Sequence, residues 1–197
     1  MIVIVDYGMG NLRSITKAIE HCGARVEVTR NAEKIEESQA LVLPGVGAFK
    51  DAIKELSPLA NIIKKYDKPL LGICLGMQLF FTESEEGGLF KGLDLIKGRV
   101  IRLPDEVKIP HMGWNDIEIK GKSRLLKGIK SGEYFYFVHS YFVVPENNET
   151  IKATTNYGVE IPAVIEKENI FATQFHPEKS GEAGLRILRN FVEIVKP

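Results

Sequence analysis

The chain has 197 residues, of which 44% are hydrophobic, and its 26 basic and 26 acidic side chains give a formal net charge of zero. This length and composition predict one globular domain, residues 1–197, with a sizeable core. The balanced charge argues against a nucleic-acid-binding protein. No apolar run reaches the roughly 18 residues of a membrane span. Residues 1–5 are apolar but lack the basic region and cleavage site of a signal peptide.

The sequence contains two cysteines, Cys22 and Cys74, and four histidines. Two cysteines give no disulfide framework and fit a cytoplasmic protein in a reducing compartment. The histidines and cysteines show neither CxxC nor HExxH spacing, so we expect no metal site and no cofactor.

The first half of the chain alternates predicted strands and helices. Strands are predicted at 1–6, 25–29, 40–43 and 69–74, and helices at 12–22, 33–38, 48–56, 59–66 and 75–81. We expect Asn11 to cap the first helix and Gly23 to end it. Cys22 lies on the apolar stripe of that helix and is interpreted as a core residue. The alternation is typical of a parallel sheet covered by helices.

The loop at 8–11 follows the first predicted strand. Its two glycines could suit a phosphate, but Arg13 stands where a dinucleotide motif would have its third glycine, so a dinucleotide site is disfavoured. A loop at the carboxyl end of a parallel strand is still well placed to meet a ligand or a partner.

The second half is richer in strands, predicted at 95–103, 117–120, 134–144, 151–156, 163–167 and 170–175. Turn residues separate them, which favours antiparallel pairing. The stretch at 111–115, with the single Trp, is expected to be a loop. Gly181–Val195 has the pattern of an amphipathic helix. The fold class predicted is α/β, a mixed sheet with a parallel core, helices on both faces and an antiparallel extension in the C-terminal half.

The segment Gly72-Ile73-Cys74-Leu75-Gly76 has the form of a nucleophile elbow, G-x-S-x-G, with Cys in the Ser position. The glycines permit a tight turn between strand and helix, and the helix N-terminus favours a thiolate. The same pattern is also compatible with a buried core cysteine. A second glycine-rich loop, at 44–47, follows a neighbouring strand. Its amides and that of Leu75 are candidate donors to an oxyanion.

His176-Pro177-Glu178 follows the last predicted strand. Glu178 can accept from one imidazole nitrogen of His176 while the other nitrogen faces a nucleophile. An imidazolium held in this way would favour a thiolate at Cys74. Taken together with the elbow, the pair predicts a Cys–His–Glu hydrolase.

These motifs resemble the class I, or triad, glutamine amidotransferases, which have a flavodoxin-like fold. Within that family the chain resembles the glutaminase subunits of imidazole glycerol phosphate synthases, in histidine biosynthesis. The matching stretches are 6–11, 44–49, 74–78, 111–115, 136–141 and 174–180.

The resemblance implies a role for each matching residue. Cys74 would attack the side-chain amide of glutamine and form a thioester, His176 would transfer protons and Glu178 would orient His176. The oxyanion hole would be formed by amides of Val46, Gly47 and Leu75. The ends of the substrate would be held by Gln78, Glu86 and the backbone at His139, Ser140 and Tyr141.

The resemblance also implies a partner. The ammonia would pass to a cyclase subunit, a (β/α)8 barrel, in a heterodimer that makes imidazole glycerol phosphate and an aminoimidazole carboxamide ribonucleotide. The residues expected to face this partner are Tyr7, Gly8, Met9, Gly10, Asn11, Trp114, Asn115 and Lys179.

Three alternatives remain open on the sequence. The chain could be the amidotransferase subunit of another synthase, such as anthranilate or aminodeoxychorismate synthase. It could be a stand-alone γ-glutamyl hydrolase with the same triad. It could also be a catalytically inactive regulatory homologue, although Cys74, His176 and Glu178 are all present.

Overall fold

The computed structural model describes residues 1–196. Its main sheet has eight strands in the order β2-β1-β3-β4-β14-β13-β12-β9. The first five are parallel, and the last three extend the sheet in antiparallel fashion. Their bounds are β1 Ile2–Val5, β2 Val26–Thr29, β3 Ala40–Leu43, β4 Leu70–Ile73, β9 Glu118–Ile119, β12 Ile151–Tyr157, β13 Val159–Lys167 and β14 Ile170–Thr173. The predicted mixed sheet is confirmed.

Helices cover both faces of this sheet because alternate residues of its buried strands point to opposite sides. Ile2 and Ile4 pack in a core with α1 and α6, whereas Val3 and Val5 pack in a second core with α2, α3, α4 and α5. The helix bounds are α1 Leu12–His21, α2 Ala32–Glu37, α3 Phe49–Leu56, α4 Ala60–Lys65, α5 Leu75–Leu79 and α6 Gly181–Val195.

The ends of α1 are as predicted. The side chain of Asn11 accepts a hydrogen bond from the amide of Ser14 at 3.3 Å, and Gly23 follows the helix with a φ of +87°. Cys22 packs against the core beside α6, with its Sγ 3.6 Å from the carbonyl oxygen of Leu185. Cys22 is therefore a partly buried residue at the margin of the core rather than a fully buried core residue.

Two smaller sheets lie against the main one. A four-stranded sheet has the order β11-β7-β5-β6, and a two-stranded antiparallel sheet pairs β10 with β8. Their bounds are β5 Phe81–Ser84, β6 Phe90–Lys91, β7 Ile96–Arg102, β8 His111–Asp116, β10 Tyr134–His139 and β11 Tyr141–Pro145.

The structure corrects three predicted elements. The stretch at 111–115 is the strand β8 and not a loop, because it pairs with β10 along its whole length. The strand predicted at 134–144 is divided at Ser140, since β10 and β11 belong to different sheets. The helix predicted at 75–81 ends at Leu79, where the chain enters β5.

Candidate active site

Cys74 lies at the turn between β4 and α5, with a φ of +52° and a ψ of −105°. A positive φ is unusual for a residue other than glycine and marks a strained turn. The turn requires both flanking glycines. A Cβ on Gly76 would lie 1.8 Å from the carbonyl oxygen of Leu43, and a Cβ on Gly72 would lie 2.5 Å from the ring of Phe80. The elbow predicted from the sequence is therefore present.

His176 and Glu178 follow β14 in a short 3₁₀ turn, and the imidazole Nδ1 lies 2.9 Å from Oε1 of Glu178. Their side chains are only 2% and 6% exposed. The backbone of the turn is fixed by β10, because the amide of His176 donates to the carbonyl of Tyr136 at 3.0 Å. The Oγ of Ser180 donates to the carbonyl of His176 at 2.6 Å and closes the turn.

The environment of His176 favours the imidazolium. Burial by itself disfavours the charged ring, but the negative charges of Cys74 and Glu178, and the hydrogen bond to Glu178, outweigh it and raise the pKa of His176 to about 10. The Nε2 of His176 is buried and makes no hydrogen bond within residues 1–196. With Nδ1 held by Glu178, Nε2 is the nitrogen left to exchange a proton with Cys74.

The sulfur of Cys74 lies 3.7 Å from the carbonyl oxygen of Val138 and 3.6 Å from Nε2 of Gln174. Gln174 is fully buried at the end of β14 and also contacts Gln78 through its Oε1, at 3.5 Å. The amide of Gln174 therefore donates to the nucleophile. Gln174 is not among the residues predicted for the site, although a polar residue two positions before His176 on an apolar strand is a usable signal.

The candidate oxyanion donors are only partly available. The amide of Leu75 makes a long hydrogen bond, 3.4 Å, to the carbonyl oxygen of Gly45. In a trans peptide the N–H points opposite to the C=O, so the amide of Val46 points away from Leu75. The loop at 44–47 thus lies beside the elbow, with a carbonyl oxygen where a second donor was expected.

A cavity of about 280 Å³ opens beside Cys74. It is lined by Val46, Gly47, Cys74, Leu75, Gln78, Glu86, Pro110, Val138, His139, Ser140 and Tyr141. Every residue predicted for the oxyanion hole or for substrate binding is in this set. A larger cleft of about 570 Å³, between β11 and β12, contains none of the predicted site residues.

Gln78 and Glu86 present polar groups to the cavity. The Nε2 of Gln78 donates to the carbonyl of Tyr141 at 2.9 Å. Oε2 of Glu86 accepts from the amide of Phe49, at the start of α3, at 3.0 Å. Burial raises the pKa of Glu86 above its usual range, and the bond from Phe49 opposes that shift. A positively charged ligand group would stabilise the Glu86 carboxylate.

The loop at 8–11 packs directly on the loop at 44–47. A Cβ on Gly10 would lie 3.3 Å from the amide nitrogen of Gly45, and a Cβ on Gly47 would lie 3.2 Å from the sulfur of Met9. The structure corrects one predicted interface residue. Tyr7 is 0% exposed and donates its hydroxyl to the carbonyl of Pro44, so its side chain supports the loop at 44–47 from inside.

The outer face of β8 and β10 carries a group of exposed apolar side chains, Met112, Trp114 and Tyr134, which are 62%, 56% and 58% exposed. The ring of Trp114 contacts Tyr136 edge to face, and the ammonium of Lys179 lies 5.9 Å from the centre of the Tyr136 ring. We call this group, Met112, Trp114, Tyr134, Tyr136 and Lys179, the aromatic face. Large exposed apolar groups of this kind are typical of interaction surfaces.

Within residues 1–196, no cluster of three His, Cys, Asp or Glu side chains has the arrangement of a metal site. No helix in the same range is long and apolar enough to cross a membrane.

The fold and this site define an amidotransferase, and the comparisons with known proteins agree. The family model for class-I glutamine amidotransferases matches residues 3–195, and the chain belongs to this family. It is 54% identical to the imidazole glycerol phosphate synthase subunit HisH of Archaeoglobus fulgidus, over 100% of both chains. It is 55% identical to the subunit of the same name from Methanothermobacter thermautotrophicus, also over 100% of both.

A solved structure of similar fold is PurLQS from Thermotoga maritima, which superimposes with a TM-score of 0.76. The match covers 99% of this chain and 98% of the other, at 19% sequence identity. At that identity the likeness concerns the fold alone.

Proposed function

We propose that the chain is the glutamine-hydrolysing subunit of an imidazole glycerol phosphate synthase. The observation that carries the proposal is that Cys74, on its strained elbow, lines the cavity and lies close enough to the buried His176–Glu178 pair for its charge to raise the pKa of His176. The full-length identity to subunits named HisH supports the choice of synthase. It also favours this assignment over an anthranilate-type subunit or a stand-alone γ-glutamyl hydrolase.

The mechanism follows from the charges in the site. The thiolate of Cys74 attacks the side-chain amide carbon of glutamine, and the carbonyl electrons move to oxygen to form an oxyanion. The imidazolium of His176 then gives its proton to the amide nitrogen, which leaves as ammonia, and a thioester remains. His176 next takes a proton from water, which attacks the thioester. Glutamate leaves, Cys74 is released as the thiolate, and His176 is again the imidazolium. Glu178 keeps the imidazole in one orientation throughout.

Substrate recognition is assigned to the other end of the cavity. The α-ammonium of glutamine would bind the carboxylate of Glu86 and the side-chain oxygen of Gln78. The α-carboxylate would bind the backbone around Ser140, where the break between β10 and β11 leaves amide groups outside any strand pairing.

The loop at 44–47 makes low activity the expected resting condition. With the carbonyl of Gly45 directed at the amide of Leu75, the oxyanion would lack the second donor from Val46. Loss of one oxyanion donor costs about 10²- to 10³-fold in rate. Rotation of the peptide between Gly45 and Val46 would supply that donor. Gly45, on one side of that peptide, lowers the cost of such a rotation because it has no Cβ.

The partner proposed is a cyclase subunit with a (β/α)8 barrel, in a heterodimer, docked on the aromatic face and the loop at 8–11. This loop contacts the loop at 44–47. Docking there would therefore act on the orientation of the peptide between Gly45 and Val46. Ammonia would pass to the cyclase. The proposed location is the cytoplasm, where a reducing environment protects Cys74 from oxidation.

The test measures glutamate released from glutamine by the chain alone, with a cyclase subunit, and with that subunit and its phosphoribulosyl substrate. We expect slow release alone and a rise of about 10²-fold or more in the full mixture. Cys74→Ala should abolish release while the cyclase still uses added ammonia. Fast release that the cyclase does not change would contradict the partner assignment. Release that persists in Cys74→Ala would contradict the mechanism.

A further inference from the structure

Two buried histidines outside the triad belong to a series of hydrogen bonds that runs from Asn115, on β8, to Tyr141 at the wall of the cavity. Nδ2 of Asn115 lies 3.3 Å from Nε2 of His111, Nδ1 of His111 lies 2.9 Å from Nε2 of His139, and Nδ1 of His139 lies 2.9 Å from the carbonyl oxygen of Tyr141. That same carbonyl accepts the side-chain amide of Gln78 at 2.9 Å. We call Asn115, His111, His139 and Tyr141 the histidine relay. Neither histidine has a role in the mechanism described above.

The chemistry of the last acceptor fixes the direction of every bond in the relay. A carbonyl oxygen can only accept, so Nδ1 of His139 carries the proton. In a neutral ring its Nε2 is then an acceptor, which requires a proton on Nδ1 of His111. Nε2 of His111 must accept in turn, and Asn115 meets it with its NH₂ group. The same orientation of Asn115 lets it donate to the carbonyl of Asn156 at 2.9 Å and accept from the amide of Asp116 at 3.0 Å.

Both rings are held in surroundings that keep them neutral. Burial lowers the pKa of His111 to about 4 and that of His139, which also faces His111 and His176, to about 3. His111 is further fixed by stacking between the rings of Phe137 and Tyr157, at centroid distances of 4.8 and 4.0 Å. The relay is therefore a rigid, uncharged series of hydrogen bonds, with both histidines in the Nδ1–H tautomer.

The Tyr141 carbonyl, at the end of the relay, determines which side-chain atom of Gln78 remains free to bind a ligand. The Tyr141 carbonyl accepts from His139 and from Gln78, which uses both of its lone pairs. The two N–H groups of Gln78 are directed to Tyr141 and Gln174. Its Oε1 is the atom that remains as an acceptor, and Gln78 lines the cavity. If His139 took the Nε2–H tautomer, its Nδ1 lone pair would face the Tyr141 carbonyl and repel it.

We propose that His111 and His139 are positioning residues for glutamine recognition, which hold the Tyr141 carbonyl so that Oε1 of Gln78 faces the α-ammonium of the substrate. This inference rests on the proposed function, because it assumes that glutamine is the substrate. It assigns His111 and His139 no proton transfer and no contact with the reacting amide.

The tautomers can be measured directly in the whole chain. Long-range ¹H–¹⁵N NMR spectra at neutral pH distinguish Nδ1–H, Nε2–H and doubly protonated imidazole. We expect His111 and His139 to give the signals of Nδ1–H rings. Each signal is assigned by its disappearance from the spectrum of His111→Phe or His139→Phe. An Nε2–H or charged form at either position would overturn the relay.

The functional test uses His111→Phe, which keeps an aromatic ring between Phe137 and Tyr157 but removes both hydrogen bonds. We expect KM for glutamine to rise about 3- to 10-fold, as for the loss of one or two hydrogen bonds, with kcat within about twofold of the wild type. The control is His21→Gln, at the exposed end of α1, which should change neither constant. An unchanged KM in both His111→Phe and His139→Phe would overturn the proposal.

A second readout separates recognition of the α-group from the reactivity of the thiol. A chloroketone analogue of glutamine and iodoacetamide both alkylate Cys74, but only the analogue carries an α-ammonium. We expect His111→Phe to slow the analogue about 3- to 10-fold and to leave iodoacetamide unchanged. Equal slowing of both reagents would mean that the rings affect the thiol and would overturn the assignment. Failure of the wild type to hydrolyse glutamine would instead count against the proposed function.

Discussion

The pKa of His176 at the candidate site depends on its burial and on the two acidic side chains beside it. His176 is almost entirely buried, which by itself would keep its ring neutral, yet its pKa is raised to about 10. The two groups responsible are Cys74, on the strained elbow, and Glu178, bonded to Nδ1 at 2.9 Å. Proton donation to the leaving nitrogen requires the imidazolium, so the reaction depends on both groups that maintain it.

Replacing Glu178 by Gln should shift the alkaline limit of the glutaminase reaction to lower pH. A raised pKa means that His176 keeps its proton until the pH passes about 10, so activity in the wild type should be lost as the pH rises through that value. Without the Glu178 charge the proton is lost earlier, and we expect the limit to fall by about one unit or more. The measurement is kcat/KM for glutamine between pH 6 and 10.5, with partner present.

At pH 8 the same variant should lose at least about tenfold in kcat/KM, because the neutral amide no longer stabilises the imidazolium. Glu182→Gln is a matched control, since Glu182 is an exposed carboxylate at the start of α6, paired with Arg189. An alkaline limit that is the same in both variants and in the wild type would show that Glu178 does not support the charge on His176.

The residues of the candidate site that could be predicted from the sequence are those whose pattern is local. Cys74 with its two glycines, and His176 with Glu178, each lie within a few positions of one another, so a short motif contains their chemistry. Gln174 and His111 were missed because their roles come from partners distant in sequence. Gln174 reaches Cys74 across 100 positions and His111 reaches His139 across 28. Tyr7 was misplaced for the same reason, since its burial depends on the loop at 44–47.

Among the elements, the elbow between β4 and α5 has the strictest steric requirement. The first turn of α5 passes so close to β3 that a Cβ on Gly76 would lie 1.8 Å from a backbone oxygen. Backbone atoms of a central strand cannot move away without breaking the sheet. The turn that gives Cys74 its position therefore depends on a residue with no side chain, two positions further on.

Gly76→Ala should destabilise the whole protein. Overpacking against fixed atoms costs about 3 kcal/mol or more here, which corresponds to a fall of about 6–12 °C in Tm for a chain of this size. Gly121→Ala is the control, because the nearest heavy atom to its added Cβ lies at 3.6 Å and the backbone there has no positive φ. Thermal unfolding followed by circular dichroism measures both, and equal Tm values would contradict the close approach.

The strands and helices of the first half were predicted closely because each is a short apolar run between clear turn residues. The second half was harder, since its strands are divided among three sheets. The aromatic run at 134–144 is continuous in hydrophobicity, and only tertiary pairing divides it at Ser140. That division brings His139, Ser140 and Tyr141 to the wall of the cavity. The segment at 111–115 has the polar and glycine content of a loop but pairs with β10 throughout.

On the scale of the whole molecule, the proposed active site and docking surface lie at the carboxyl ends of the parallel strands of the main sheet. The loops at 8–11 and 44–47, the elbow and the His176 turn all follow the carboxyl ends of parallel strands, where an open α/β sheet binds its ligands. Lys179, which follows the His176 turn, contacts the Tyr136 ring of the aromatic face. The candidate active site and the proposed docking surface are thus adjacent. This arrangement is consistent with the proposed transfer of ammonia to a partner subunit.

Trp114→Ala should weaken binding of the cyclase subunit without lowering the stability of the chain. A central exposed Trp is a typical interface anchor, and its loss should raise Kd about 10- to 30-fold. The side chain is 56% exposed and meets the Tyr136 ring edge to face, so Tm should change little. Val28→Ala, on the edge strand β2, removes another exposed apolar group away from the aromatic face and should leave Kd unchanged. Calorimetric titration of each variant with the cyclase gives Kd, and an unchanged Kd for Trp114→Ala would place the docking surface elsewhere.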